Sequence, residues 1–296
     1  MIADENGQPP QATSTAPPPV ILALIGDLFF SVRVEDVARR LGFRVRLIER
    51  ADQVAPPDHP GAEPEPRRPG EPLSGQAAAL IALLAEEQPA LIVVDLNNAA
   101  VPWERWIATI KSSPATRRTP VIAFGSHMDV AVQARGRQAG ADAVLAKSRF
   151  VQDFPELIRK HARVPDRAAI AKACEGELSP LALRGLRLFE AGKYFEAHEE
   201  LEHAWNQEAG PARELYRAVL QIAVAYLQIT RKNYAGALKM FLRARQWIDP
   251  LPEVCLGVQV GKLRRQARLV RQALEDLGAD RIDEFDLSLL QPVEWL

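Results

Sequence analysis

The sequence predicts an α/β part followed by an all-α part: a five-stranded parallel doubly wound sheet, then a helical bundle. Between residues 20 and 163, short apolar runs alternate five times with segments of helical periodicity. This alternation is typical of a parallel sheet with helices on both faces. From residue 181 onward, apolar residues recur at helical spacing in one segment after another. A chain of 296 residues is long enough for two such domains.

Two stretches have compositions typical of disordered chain. Residues 1–19 are rich in Pro, Gln, Ser and Thr, and residues 53–72 are a proline-rich insertion with mixed charge. Segments of this kind cannot bury enough apolar surface to offset the entropy cost of ordering. We therefore expect both stretches to be mobile.

The α/β part is predicted to span residues 20–163. Its five strands are expected where apolar or alternating runs lie between turn residues, at 20–25, 44–48, 91–94, 121–124 and 143–146. Helical periodicity predicts the intervening helices, one ending near Gly42 and the others at 76–87, 103–110, 130–139 and 151–162.

Residues 164–180 are predicted to be a linker, with a short helical extension at its centre. The helical part, residues 181–296, begins where Ser179 and Pro180 supply an N-cap and a first turn. Its helices are predicted at 181–190, 194–207, 212–231 and 234–248, followed by a long apolar seam from 256 to 277. The apolar end, 287–296, is expected to fold back on the bundle.

Composition and charge limit the classes of partner. The net charge of −1 gives no overall attraction to nucleic acid, and no apolar run reaches the ~20 residues that span a bilayer. The acidic start of the chain is not that of a signal peptide. The last long helix is locally basic, and we interpret this as a solvated face or, alternatively, as a surface for nucleic acid or an acidic partner.

The two cysteines bear on the compartment. Cys174 and Cys255 are far apart in sequence and form no C-x-x-C motif. This spacing argues against a zinc ribbon or a disulfide framework and favours a reducing cytoplasm.

Three charged residues follow strands of the predicted sheet. Asp27 comes after the first strand, Asp95 after the third and Lys147 after the fifth. Ligands of doubly wound sheets bind at this carboxyl edge. Asp27 and Asp95 could supply two carboxylates to Mg²⁺, whereas Lys147 could instead neutralise Asp95 in a structural ion pair. The sequence leaves both alternatives open.

Residues 20–163 resemble a response-regulator receiver domain of the CheY-like type. The match rests on Asp27, Asp95 and Lys147, and on the Gly-Ala-Asp triplet that begins at Gly140. The resemblance implies a phospho-acceptor at Asp95, a Mg²⁺-binding acid at Asp27 and the invariant lysine at Lys147.

The receiver motif is incomplete in three places. Gly26 stands where the first acid of the pair is expected, and Ser148 replaces the proline after the lysine. Gly125 replaces the hydroxyl residue that ends the fourth strand, with Ser126 one place further on. We therefore expect a degenerate receiver that is not an efficient phosphorylation switch.

The helix at 194–207 is predicted to carry polar groups beside its apolar face. Tyr194, Ala197, Leu201 and Trp205 share one face, with His198 between them; Glu202 lies one turn beyond His198, at the margin. Burial of such groups costs roughly 1–3 kcal/mol each unless they are partnered. We expect both to point inward and to be hydrogen-bonded, most simply by Arg217 or Gln221 of the next helix.

Residues 178–250 resemble a bacterial family known as domain of unknown function 309. The matched residues run from Phe189 through Gly192, Tyr194 to Glu199, Leu201, Glu202 and Trp205, and on through Arg217, Gln221, Asn233, Gly236, Ala237 and Met240. The resemblance implies a small all-helical domain and a candidate polar site, and it names no reaction.

The polar site leaves three interpretations open. His198, Glu199 and Glu202 could share a metal, as carboxylate and histidine pairs do in helical bundles. His198, Glu202, Arg217 and Gln221 could instead form a buried hydrogen-bond network, or line a small-molecule pocket. We interpret the chain as a regulatory or binding protein with a protein partner or a small ligand. The alternative is a metal-dependent hydrolase.

Overall fold

The computed structural model describes residues 17–56 and 75–296. The first part is a five-stranded parallel sheet with strand order β2-β1-β3-β4-β5. The strands are β1 (Val20–Leu24), β2 (Arg44–Ile48), β3 (Leu91–Asp95), β4 (Val121–Gly125) and β5 (Ala143–Ala146). This order is that of the flavodoxin-like and receiver-like folds, so the predicted fold class is confirmed.

Helices cover both faces of the sheet. They are α1 (Leu28–Arg40), α2 (Gly75–Glu87), α3 (Trp103–Ser112), α4 (Val130–Gln138) and α5 (Lys147–His161). Alternate residues of the central strands point to opposite faces: Ile21 and Ala23 lie in a core with α1 and α5, and Leu22 and Leu24 in a core with α2 and α3. Burial on both faces explains the near-continuous apolar runs of β1 and β3.

The predicted element boundaries differ from the structure by a few residues, and one difference bears on the site. Helix α5 begins at Lys147 rather than at residue 151, so this lysine is the first residue of a helix. The stretches expected to be disordered fall largely in 1–16 and 57–74, outside the described residues. The described start of the second stretch, Gln53, ends a short 3₁₀ helix.

The second part is a bundle with a single core. Its helices are α6 (Arg167–Ala173), α7 (Pro180–Glu190), α8 (Tyr194–Gln207), α9 (Arg213–Thr230), α10 (Tyr234–Ile248) and α11 (Val260–Leu277). Helix α9 packs between α8 and α10 and is buried along most of its length. Trp295 forms an isolated bridge with Val258 and packs on the core, as expected for a terminus that folds back. No helix in the two described ranges is both long and apolar enough to cross a membrane.

The expectation for the cysteines was wrong. Cys174 and Cys255 form a disulfide across a sequence separation of 81 residues. The fold brings them together because the Leu256 amide donates to the Cys174 carbonyl at 2.8 Å, which ties the end of α6 to the loop before α11. Distance along the sequence was therefore no guide to distance in space. The inference of a reducing cytoplasm, which rested on unpaired cysteines, loses its basis.

Helix α10 joins the bundle to the α/β part. Phe241, Ala244 and Ile248 are buried in the helical core, while Leu242 packs against the core between the sheet and α2 and α3. Arg245, with 10% of its side chain exposed, pairs at 3.0 Å with Asp249, the C-cap of the same helix, and also with Glu86 at the end of α2.

Two amide side chains add hydrogen bonds across the same contact. Gln88 donates to an Asp249 carboxylate oxygen at 3.2 Å, and Gln246 donates to the Pro114 carbonyl at 3.2 Å. Glu86, Gln88 and Pro114 lie in segments that precede β3 or β4. The bundle is therefore docked at the amino ends of these strands, opposite the edge that carries Asp95.

Truncation of Arg245 tests this contact. We expect Arg245→Ala to lower the free energy of unfolding by about 3 kcal/mol, because it leaves the mostly buried Asp249 carboxylate without its nearest cation. Arg159→Ala, which removes the exposed pair with Glu156, is the matched control and should change stability little. Urea unfolding of the three proteins measures both values. Equal stability of Arg245→Ala and wild type would contradict a structural role for the pair.

Candidate functional site

The carboxyl edge of the sheet brings three of the predicted residues together. Asp27 is the N-cap of α1, where its Oδ1 accepts a hydrogen bond from the Phe29 amide at 2.9 Å. Asp95 ends β3 and is only 3% exposed, and its Oδ1 accepts from the Asn97 amide at 2.9 Å. Lys147 begins α5 at the same edge.

Lys147 forms its ion pair with Asp27. Its Nζ lies 3.5 Å from Asp27 Oδ2 and 3.8 Å from the centroid of the Phe30 ring. Among the described residues no ion pair joins Lys147 to Asp95, so the structural pair suggested by the sequence involves the other aspartate. Asp27 is thus engaged twice, by the first turn of α1 and by the lysine.

Burial raises the pKa of the Asp95 carboxyl. The hydrogen bond from Asn97 and the charge of Lys147 oppose this shift, and the charge of Asp27 adds to it. The net direction is upward, which means that the site disfavours the charged carboxylate relative to water.

Asn98 occupies the space beside Gly26. A Cβ atom added at Gly26 would lie 3.0 Å from Asn98 Oδ1 and 3.1 Å from its Cγ. Asn98 is 7% exposed and held in place, because it donates to the Glu49 carbonyl at 3.0 Å and accepts from the Ala100 amide at 3.1 Å. An acidic side chain at position 26 is therefore crowded by Asn98, which must shift by a few tenths of an ångström to admit it.

The hydroxyl of Ser126 is used in a hydrogen bond within its own turn. Ser126 Oγ accepts from the Met128 amide at 3.3 Å, and the Ser126 amide donates to Asn97 Oδ1 at 3.1 Å. At Gly125 an added Cβ would make only ordinary contact with Leu96, at 3.4 Å. Gly125 therefore removes a hydroxyl donor from this edge, although the surrounding atoms leave room for a side chain there.

The residues at this edge do not fit a Mg²⁺ site well. The ion prefers six oxygen ligands, and the carboxylates that the sequence suggests for it are those of Asp27 and Asp95. Asp27 is committed to a helix cap and to Lys147, and Asp95 is desolvated. Within the described residues, no group of three or more His, Cys, Asp or Glu side chains is placed to hold a metal ion.

The polar site expected in the bundle is not assembled. Ala197, Leu201 and Ala204 are the buried residues of α8 and set the direction of its core-facing side. Glu202 lies one residue past Leu201, about 100° further round the helix, and it is exposed, as is Glu199. His198 lies at the margin and is half-buried. The expectation that His198 and Glu202 both point inward was therefore wrong for Glu202.

Arg217 and Gln221 have other neighbours. In the described part of the chain, no hydrogen bond or ion pair joins either residue to His198 or Glu202. Arg217 pairs with Glu214 at 3.7 Å and stacks on two indoles, and Gln221 is 6% exposed with its Oε1 unpartnered in the described structure.

A cluster that the sequence analysis did not identify lies where the bundle meets the α/β part. Guanidinium and indole groups alternate there, and we call the set the arginine–tryptophan cluster: Arg118, Trp247, Arg217, Trp205 and Arg213. Trp205 and Arg217 had been singled out, but as parts of an apolar face and a network. The partners from positions 118 and 247 become neighbours only through the docking of α10.

Comparison with known families identifies part of the bundle. Residues 182–240, from α7 into α10, match the family model described as a domain of unknown function (DUF309). The match supports the resemblance found in the sequence and carries no reaction with it. No curated protein matches the chain.

Solved structures similar to the α/β part are receiver domains and response regulators. The receiver domain of the sensor histidine kinase PA1611 from Pseudomonas aeruginosa PAO1 is 17% identical; the match covers 49% of this chain and 97% of that one, with a TM-score of 0.36. The chemotaxis response regulator CheY4 of Vibrio cholerae is 13% identical; the match covers 48% of this chain and 97% of that one, with a TM-score of 0.35. The response regulator RPA3017 of R. palustris is 15% identical; the match covers 50% of this chain and 98% of that one, with a TM-score of 0.36.

The environment of Asp95 predicts a pH-dependent effect of Asp95→Asn. Because burial raises the folded-state pKa, the native state retains a proton that the unfolded state releases. Stability then falls as the pH rises from the ordinary carboxyl pKa through the raised value. The neutral amide should therefore raise the thermal midpoint near neutral pH, and the gain should vanish below about pH 4, where Asp95 is protonated in both states.

Asp27→Ala is the matched control. It removes an N-cap and an ion pair, so it should lower the stability by about 1 kcal/mol near neutral pH. Thermal melts across the pH range distinguish the two variants. A lower midpoint of Asp95→Asn at neutral pH would mean that the Asp95 carboxylate is stabilised rather than penalised.

Proposed function

We propose that the protein is a regulatory protein in which a receiver-like part works without efficient phosphorylation and supports a helical ligand- or partner-binding part. The observation that carries the proposal is the position of Asn98, whose side chain takes the space of the missing acid at Gly26. A phosphorylation switch needs a metal site there, and an anchored amide stands in its place.

The other charged groups at this edge, Asp27, Asp95 and Lys147, also support the proposal. Phosphoryl transfer to a carboxylate relies on cations that neutralise the charge that develops. Lys147 is engaged by Asp27, and the Asp95 carboxyl is buried, which limits the access of a phosphodonor to it.

The rim of this edge favours a protein partner. Leu28 and Phe29, next to the Asp27 cap, are 72% and 69% exposed. Met128 and Val130, at the start of α4, are 79% and 70% exposed. Apolar residues exposed to this degree at one edge of a fold are typical of surfaces that other proteins cover. The bundle is docked at the opposite ends of the strands and leaves this rim open.

A phosphorylation assay tests the proposal. After incubation with Mg²⁺ and acetyl phosphate, we expect intact-mass analysis to show Asp95 largely unmodified in the wild type. Gly26→Asp alone should stay unmodified, because the new side chain meets Asn98. The double variant Gly26→Asp/Asn98→Ala makes room for the acid and should be modified to a greater extent than either single variant.

Asn98→Ala alone is the control for loosening the loop. Stoichiometric phosphorylation of the wild type that disappears in Asp95→Asn would contradict the proposal and would identify a working receiver. A double variant that behaves as Gly26→Asp does would show that Asn98 is not what keeps the acid out.

A further inference from the structure

The arginine–tryptophan cluster is built from four segments. Trp205 comes from the end of α8, Arg213 and Arg217 from the first turns of α9, Trp247 from the end of α10, and Arg118 from the loop before β4. The Cζ atoms of Arg213 and Arg217 lie 4.6 and 4.7 Å from the centre of the Trp205 ring. Those of Arg217 and Arg118 lie 3.7 and 4.7 Å from Trp247.

Positive charge at this cluster is poorly neutralised. Arg117 and Arg243 add two guanidiniums to the three in the cluster, and Glu214 is the carboxylate that the described structure places among them. Burial lowers the pKa of Arg217; Glu214 opposes this shift, and three neighbouring guanidiniums add to it. For Arg243, burial and the charges of Arg117 and Arg118 all lower the pKa. Among the described residues, five arginines thus face one glutamate.

Several polar atoms in and beside the cluster lack partners. The indole nitrogens of Trp205 and Trp247 and the Nε of Arg213 are buried donors with no hydrogen-bond partner among the described residues. Gln221 Oε1 is a buried acceptor in the same condition, whereas Glu214 Oε2 has the guanidinium of Arg217 3.7 Å away. Buried polar groups in native proteins are nearly always satisfied, so a concentration of them at one place calls for a missing partner. Because guanidinium and indole groups can only donate hydrogen bonds, that partner should be an acceptor.

We propose that the arginine–tryptophan cluster binds a small anion that carries at least one phosphate group. This deepens the proposed function, because it gives the ligand-binding role of the helical part a chemistry. The oxygens of a phosphate accept several hydrogen bonds at once, and guanidinium groups bind them in pairs. Stacking on an indole holds the plane of a guanidinium while its N–H edge stays free, so the donors are arranged before the ligand arrives.

The excess charge favours a phosphate over a single carboxylate. A phosphate group near neutral pH carries up to two negative charges, which suits five arginines and one glutamate better than one charge does. An acidic protein segment would need a broad basic face. The groups without partners here, however, are buried side-chain atoms that come from three helices, α8, α9 and α10.

Titration of the full-length protein with inorganic phosphate and with pyrophosphate tests the proposal. At constant ionic strength we expect saturable heat in calorimetry and a rise of the thermal midpoint with ligand concentration. Arg118→Ala should weaken binding by about 10-fold or more. Arg118 is exposed, so its truncation should leave the fold intact, which circular dichroism checks. Glu214→Gln should bind more tightly than wild type, because it removes the carboxylate that the described structure places beside the arginines.

Two variants locate the binding. Arg39→Ala removes an exposed arginine of α1, on the other face of the sheet, and Lys147→Ala removes the cation of the carboxyl edge. Both should bind phosphate as the wild type does. No saturable binding of either anion, or equal weakening by Arg39→Ala and Arg118→Ala, would overturn the proposal, as would loss of binding in Lys147→Ala.

Binding of a glutamate-rich peptide in the absence of phosphate or pyrophosphate binding would also overturn the proposal, in favour of an acidic protein partner. These results are independent of the phosphorylation assay. Failure to bind phosphate while Asp95 stays unmodified would overturn the anion site and leave the proposed function standing. Phosphorylation of Asp95 with phosphate binding intact would do the reverse.

Discussion

The structure depends on one helix that belongs to two cores. Helix α10 contributes Phe241 and Ile248 to the helical core and Leu242 to the core beneath the sheet. Its nearly buried Arg245 must be compensated, and the two carboxylates that compensate it come from the two parts of the chain, Asp249 and Glu86. A cation in this position is costly unless both partners stay in place. The docking of the bundle therefore follows from the burial of α10 in both cores and from the ion pairs of Arg245.

This docking separates two regions of the molecule. The contact lies at the amino ends of β3 and β4, so the carboxyl edge with Asp27 and Asp95 stays open at the far side of the sheet, about 16 Å away for a five-residue strand. The same contact places Arg118 beside Trp247 and so completes the arginine–tryptophan cluster. The exposed apolar residues of the rim and the arginine–tryptophan cluster thus lie at opposite ends of the strands.

The sequence was sufficient to predict those strands and helices whose residue pattern is contained within the element itself. Uninterrupted apolar runs located β1 and β3, and alternation located β2, because burial on two faces or one leaves a direct trace in the residue order. The meeting of Asp27, Asp95 and Lys147 followed from parallel strand order alone. Glu202 was misplaced because the apolar face of α8 was drawn to include Tyr194 and Trp205, whereas the fully buried residues are Ala197, Leu201 and Ala204. The Cys174–Cys255 bond, the Asn98 side chain beside Gly26 and the contact of Arg118 with Trp247 join distant segments, so no local pattern could have shown them.

Scanning calorimetry of the full-length protein tests most directly whether α10 makes the two parts one unit. Shared burial of α10 predicts a single transition in which the sheet and the bundle unfold together, with equal calorimetric and van't Hoff enthalpies. Glu86→Ala, which removes the partner of Arg245 in the α/β part, should lower that transition or split it. Two separate transitions in the wild type, at midpoints that Glu86→Ala leaves unchanged, would contradict the account.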